Sequence, residues 1–241
     1  MTTLHAEWTK VRTMPGTVWL LAGVVALTVA LGALAAGALP VGGDPAKSAL
    51  TGVVAGQAIV VVLGVTTIAG EFGTGMIATT FTALPHRLEV LAAKGFVSAG
   101  LVLSAGSVAV ACSVLAGHLL LPDGLTPTGP VVRAAAGSVL YLGLVAVLSV
   151  GVAALVRDAA AATGVVLGLL YLTPVVTTLV ADPTWQDRFR KLSPMTAGLA
   201  IQSTVDVAAQ PIAPWPGLGV LALWAAAALV AGALALRLRD A

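Results

Sequence analysis

Residues 134–156 read AAAGSVLYLGLVAVLSVGVAALV, a stretch without one charged side chain, bracketed by Arg133 and Arg157. An α-helix rises 1.5 Å per residue, so this stretch is long enough to cross a hydrocarbon core about 30 Å thick. Moving outward, the same pattern recurs. Only Arg157-Asp158 separates it from a second apolar run at 159–181, which predicts a tight antiparallel helical pair. Further runs lie at 17–39, 50–70, 95–121 and 217–236. The reading is all-α: one integral membrane domain over 1–241 with six transmembrane helices.

Composition points the same way. Hydrophobic residues make up 59% and charged residues 9%, against about 25% charged in an ordinary soluble domain. The mean hydropathy is +1.03. A soluble chain of this length cannot hide six such runs in one core. A net charge of +2 without a Lys/Arg stripe gives no sign of a nucleic-acid partner, and none is expected. Cys112 is the only cysteine, so no intrachain disulfide forms. It reads as a small buried apolar side chain in the third run rather than a reactive thiol. Lys10 and Arg12, an apolar run and Ala33-Leu34-Ala35 imitate a secretory signal. The run exceeds the about 7–15 residues of such a segment and five more follow, so it reads as a retained first span.

Positive charge accumulates on the cytoplasmic side of membrane proteins. With the N-terminus inside, Lys10, Arg12, Arg87, Lys94, Arg157, Arg237 and Arg239 are internal, and Lys47, Arg133, Arg188, Arg190 and Lys191 external. Three of the external five share one long loop, where charge counts for less, so both termini are placed in the cytoplasm. Pro- and Gly-rich links at 40–49 and 122–133 read as turn-rich connectors.

Three further segments read as non-spanning helices. Leu4, Trp8 and Val11 share one face of an interfacial N-terminal helix. In the inner loop 71–94, Ile77, Phe81 and Leu84 share a face, Thr74 caps the start, and Pro85 ends the helix. On the outer side, Trp185, Phe189 and Leu192 oppose Arg188, Arg190 and Lys191. Ser193-Pro194 then opens a second short helix to about Ala209. This outer pair either dips into the leaflet or covers a pathway. Trp19 and Trp215 sit where an indole anchors a span end, and Trp224 reads as packing or lipid-facing.

No ionisable residue falls at mid-span, where one costs about 2.5–3.5 kcal/mol to insert. Gln57 reads as an interhelical hydrogen-bonding group and His118 as an interfacial histidine. No HExxH, GxSxG or Walker A pattern is present, and no acidic cluster suggests a metal. The chain has no catalytic residue or cofactor of its own. Gly52/Gly56 and Gly164/Gly168 form GxxxG, and Ala33/Gly37 gives a weaker version; small residues at this spacing let helices approach closely. Pro174 removes a backbone donor and predicts a kink in the fifth span, with Thr173, Thr177 and Thr178 placed to satisfy freed backbone groups. The kink either fits the helix to the bundle or marks a break near a transport path.

The loop carries a further signal. Glu71-Phe72-Gly73-Thr74-Gly75-Met76-Ile77, Thr79-Thr80, Ala83-Leu84-Pro85, Arg87 and Val90-Leu91-Ala92-Ala93-Lys94 resemble the membrane subunits of ABC type-2 transporters. In that family a glutamate-led E-[YF]-x-T-G-[MT]-I stretch follows the second span, and P-x-R…VL-x-x-K precedes the third. The ends Glu7–Arg12 and Leu236–Ala241 look like those of bacterial members from high-GC genomes. The layout is similar over the whole chain: six helices, both ends inside, and a pair of short outer helices before the last span.

The resemblance implies a bacterial plasma-membrane exporter built from two permeases and two ATPase subunits. The ATPase is a separate chain that uses ATP and Mg. It implies a coupling helix at about Glu71–Leu84, with Phe72, Thr74, Gly75, Met76, Ile77, Thr80, Phe81, Leu84, Pro85 and Arg87 in or beside the contact with the ATPase. It implies a dimer, with a second copy or a paralogue, through the first and fifth spans, near Ala33, Gly37, Gly164 and Gly168, and a substrate route along that junction, with Pro174 as a dimer or pathway residue. The substrate expected is hydrophobic or amphipathic, as in multidrug or antibiotic efflux. Two other readings stay open: an ion-coupled secondary carrier, and a structural or sensory membrane protein whose inner loop binds a kinase or scaffold.

Overall fold

The computed structural model describes residues 15–38, 43–76, 87–121 and 124–238. The expected interfacial helix around Leu4–Val11, most of the expected coupling helix (77–86) and residues 239–241 lie outside them. The described residues form ten α-helices: α1 (Pro15–Ala38), α2 (Pro45–Ala49), α3 (Gly52–Gly73), α4 (Arg87–Leu120), α5 (Gly129–Val156), α6 (Ala159–Leu167), α7 (Thr173–Leu179), α8 (Pro183–Leu192), α9 (Pro194–Leu199) and α10 (Pro214–Leu238). A π-helical turn, Gly168–Leu172, joins α6 to α7.

Six helical stretches are long and apolar enough to cross a bilayer: α1, α2–α3, α4, α5, α6–α7 and α10. This is the architecture of a multi-pass membrane protein, as the apolar runs predict. Several bounds move. The connector expected at 40–49 is partly helix α2, capped by Asp44, whose side chain accepts from the Ala46 and Lys47 amides. Residues 87–94, expected to lead into the third span, are the first two turns of α4. Arg133, expected in a loop, sits in the first turns of α5.

The helix α5 is the centre of the bundle. It packs against α3, α4, α6 and α10, while α1 lies against α3 and α4. Tyr141, Leu142, Val145, Ala146, Leu148 and Val150 of α5 are fully buried. By contrast α1 and α6–α7 bury little of their surface, so they form the flanks. Cys112 is exposed on the outer face of α4, not buried as its residue type suggests. Apolar composition inside a span does not distinguish the lipid face from the packed face.

Chain reversals have identifiable causes. Gly75 (φ 72°) follows α3 in the left-handed conformation, and its amide returns to the Phe72 carbonyl. Arg157 (φ 63°) does the same after α5, and Asp158 then caps α6 by accepting from the Ala161 amide at 2.7 Å. The two-residue link between the fourth and fifth spans is therefore a stop followed at once by a start.

Candidate functional site

Two ends of the bundle carry polar chemistry. At the end bearing residues 71–94, α3 runs through Glu71 and Phe72 before Gly75 breaks it. Neighbouring residues on a helix point about 100° apart, so these two reach different partners. The Glu71 carboxylate lies 2.7 Å from the Lys94 ammonium on α4, with the two side chains 9% and 1% exposed. Lys94 also donates to the Thr67 carbonyl at 3.2 Å, and Ser98 to the Thr67 hydroxyl at 3.3 Å. Phe72 turns the other way, with the Arg157 guanidinium 5.2 Å from its ring centroid. Arg157 also donates to the Ala235 carbonyl near the end of α10 at 3.1 Å. Glu71 and Phe72 thus tie α3 to α4, to the α5–α6 junction and, through Arg157, to α10.

Glu71 is turned into the bundle rather than toward the surface. Thr74, Gly75 and Met76 are exposed beyond it. Ile77, Thr80, Phe81, Leu84 and Pro85 lie outside the described residues, and Arg87 is described only as the start of α4. Lys94 and Arg157 are the residues the sequence reading passed over as functional partners. The available signal was an acidic and a basic residue closing the two ends of one loop, each beside an apolar run.

At the opposite end, the chain between α7 and α10 folds back into the bundle. Pro174 lacks the amide that would bond the Leu170 carbonyl, and the π-helical turn lies just before it. The Thr173 hydroxyl covers the gap, reaching the Leu169 carbonyl at 2.8 Å and that of Leu170 at 3.4 Å. Thr177 and Thr178 instead bond the carbonyls of Pro174 and Val175, within α7 itself. The interruption expected at Pro174 therefore takes the form of a widened turn, with only Thr173 compensating the lost bond.

The helix α8 follows, capped by Asp182, and Ser193 caps α9 as the Ser-Pro pair predicts. Helix α9 is shorter than expected, ending at Leu199 with a single 3-10 turn to Gln202. Ala197, Gly198, Ile201 and Gln202 are buried against α5 and α10. A β-carbon at Gly198 would meet the Tyr141 ring, and one at Gly137 would collide with Ile201. Gln202 donates to Ser138 at 3.0 Å and to the Leu50 carbonyl at 3.4 Å. Arg133 donates to the Ser203 carbonyl. Below this plug the Tyr141 hydroxyl donates to Gln57, the interhelical bond expected of that glutamine, and Gln57 reaches the Met195 sulfur at 3.5 Å. Tyr171 donates to the Val54 carbonyl. His118 contacts the Leu125 carbonyl at 3.2 Å.

Asp44 fastens the returning segment. Its carboxylate accepts from the Thr204 hydroxyl at 2.6 Å and from the Thr204 and Val205 amides. Partial burial pushes its pKa up, but these hydrogen bonds outweigh burial and hold it below the ordinary 3.8.

The two GxxxG pairs divide. At Gly52 and Gly56 a β-carbon would collide with the Thr28 carbonyl and hydroxyl, so this pair is used up where α3 meets α1. Nothing lies within 4 Å of a β-carbon at Gly164 or Gly37, and Gly168 meets only Leu172 of its own span. Ala33 is partly exposed on the same helix as Gly37. Among the described residues no group of three His, Cys, Asp or Glu could hold a metal. Comparison with protein-family models and with curated proteins gives no match.

Proposed function

We propose that this chain is the membrane-spanning permease subunit of an ATP-binding cassette exporter, moving a hydrophobic or amphipathic substrate across a bacterial plasma membrane. A separate ATPase subunit supplies the energy. Both termini and the loop 74–87 face the cytoplasm, and the α8–α9 hairpin faces outside. The observation that carries the reading is the bracing of α3 and α4 where they enter that loop. A loop acts as a lever only if its helices move with it. The Glu71–Lys94 pair joins its two roots, and Phe72 with Arg157 ties them to α5, α6 and α10. The loop sequence resembling the ABC type-2 coupling segment gives that lever its partner. The outward-facing Gly37 and Gly164 leave α1 and α6 available to a second copy or a paralogue.

An ion-coupled carrier has one observation in its favour, because a buried Glu–Lys pair in a membrane protein also serves proton relays. The pair lies at one end of the bundle, however, and not at the midplane where carriers hold their ions. Reconstitution into proteoliposomes with and without the ATPase decides between them. Transport that requires ATP and the second subunit is the expected result. Uptake by the permease alone, driven by an ion gradient, sinks the assignment.

A further inference from the structure

The helix α8 runs back along the side of the bundle, with none of its residues buried, instead of lying across its end. Its Gln186 amide donates to the Thr177 carbonyl at 3.2 Å, and the hydroxyls of Thr173 and Ser193 lie 3.0 Å apart. The chain therefore returns antiparallel to α7. Thr173 lies six residues before the end of α7 at Leu179, a drop of about 9 Å. At the end of α8 the Trp224 indole donates to the Leu192 carbonyl at 3.0 Å. Trp224 lies ten residues inside α10, about 15 Å along that span. The span α6–α7 has 21 residues, a length of about 31 Å that only just crosses the hydrocarbon. Its end at Leu179 thus lies near the headgroup boundary, and the end of α8 lies well below it.

A helix at that depth should be apolar, yet α8 carries Arg188, Arg190 and Lys191 against the single carboxylate Asp187. Among the described residues, none of the three cations has an ion-pair partner. Arg188 sits over the Trp185 ring, 5.0 Å from its centroid. Arg188, Asp187 and Lys191 line an open groove with Pro183 and Thr184. Beside the basic groups, Trp185, Phe189 and Leu192 are 52%, 42% and 64% exposed. Long basic side chains below the boundary extend their charge up to the phosphate level and leave their stems in the hydrocarbon. The helix α8 thus offers a basic groove on one side and exposed aromatic and aliphatic surface on another, with Arg188 in contact with both through the Trp185 ring.

We infer that α8 binds an anionic lipid of the leaflet at this end of the bundle, with the lipid phosphate on Arg188 and Lys191 and its chains against Trp185, Phe189 and Leu192. The site does not depend on the transport reading. It follows from charge, exposure and depth.

The test uses the purified full-length protein in nanodiscs containing brominated phosphatidylglycerol or, at equal mole fraction, brominated phosphatidylcholine. Bromine quenches only nearby indoles, and subtracting the signal of Trp185→Phe isolates Trp185. The anionic lipid should be enriched beside Trp185 by about fivefold per engaged cation. R188Q/K191Q should abolish the difference between the two lipids and leave quenching by phosphatidylcholine intact. Equal quenching by the two lipids in the wild-type protein overturns the inference, as does a preference that survives R188Q/K191Q. The preference should survive inorganic phosphate added at constant ionic strength; its loss there overturns the inference too, since the groove would then take a free anion. If the double variant does not fold, the comparison of wild type with Trp185→Phe decides alone.

Discussion

Replacing Glu71 by leucine removes the carboxylate 2.7 Å from an ammonium that is 1% exposed. The Thr67 carbonyl at 3.2 Å still accepts from Lys94, but a neutral acceptor does not replace the carboxylate beside a buried positive charge. Breaking a buried pair from one side costs about 3–5 kcal/mol. Lys94→Met removes the ammonium that lies 2.7 Å from the Glu71 carboxylate and should cost a similar amount. The double variant E71L/K94M removes both charges, and replacing a buried pair by apolar groups of similar volume is near neutral or stabilising. Each single variant should therefore melt about 6–20 °C below wild type on the scaling for chains of this size, and the double variant should recover most of the loss. Thermal unfolding of the detergent-purified protein, followed by circular dichroism, measures all four corners of the cycle. Singles that melt like wild type, or a double variant showing the sum of both losses, would refute the brace between α3 and α4.

Further predictions concern separate parts of the bundle. Gly52→Ala drives a methyl into the Thr28 carbonyl and should cost at least about 1–3 kcal/mol; Gly164→Ala, which meets nothing, should leave the melting temperature of the chain unchanged. Asp44 has a folded pKa below 3.8, so its contribution is complete above that value and is lost as the pH falls through the folded pKa. Asp44→Asn should accordingly be less stable than wild type at neutral pH, with the gap closing below about pH 3.8 in melts run across that range. Tyr141→Phe leaves the Gln57 carbonyl without its donor; membrane hydrogen bonds average about 0.6 kcal/mol, up to about 1.7, and an unfolding titration should register a loss of that order.

The spans were legible because apolar length is a local property, and the Ser193-Pro194 start of α9 because a cap is written in two residues. What needs a partner was not legible. The sequence gives no indication that Gly52/Gly56 face Thr28 while Gly164/Gly168 face outward, since the motif states a spacing and not a neighbour. Glu71 read as the first residue of a surface helix; the span runs on past it, because the helix stops only at Gly75, and that extra turn carries the carboxylate inside to Lys94. Arg157 read as a linker residue, although its position at the end of α5 sets it over Phe72 and beside Ala235. The return of α8 along α7 depends on hydrogen bonds from Gln186 to the Thr177 carbonyl and from the Trp224 indole to the Leu192 carbonyl, contacts between residues 9 and 32 positions apart that periodicity does not encode.

The proposed function makes the loop between α3 and α4 the lever on which an ATPase acts. A photo-crosslinking amino acid at Phe81, in membranes containing a separate subunit with the GxxxxGK[ST] phosphate-binding loop, tests it most directly. The expected result is a cross-link from position 81 to that subunit, with a yield that changes when ATP is added. Cross-links to lipid or to the permease alone, at the same yield with and without ATP, would contradict it.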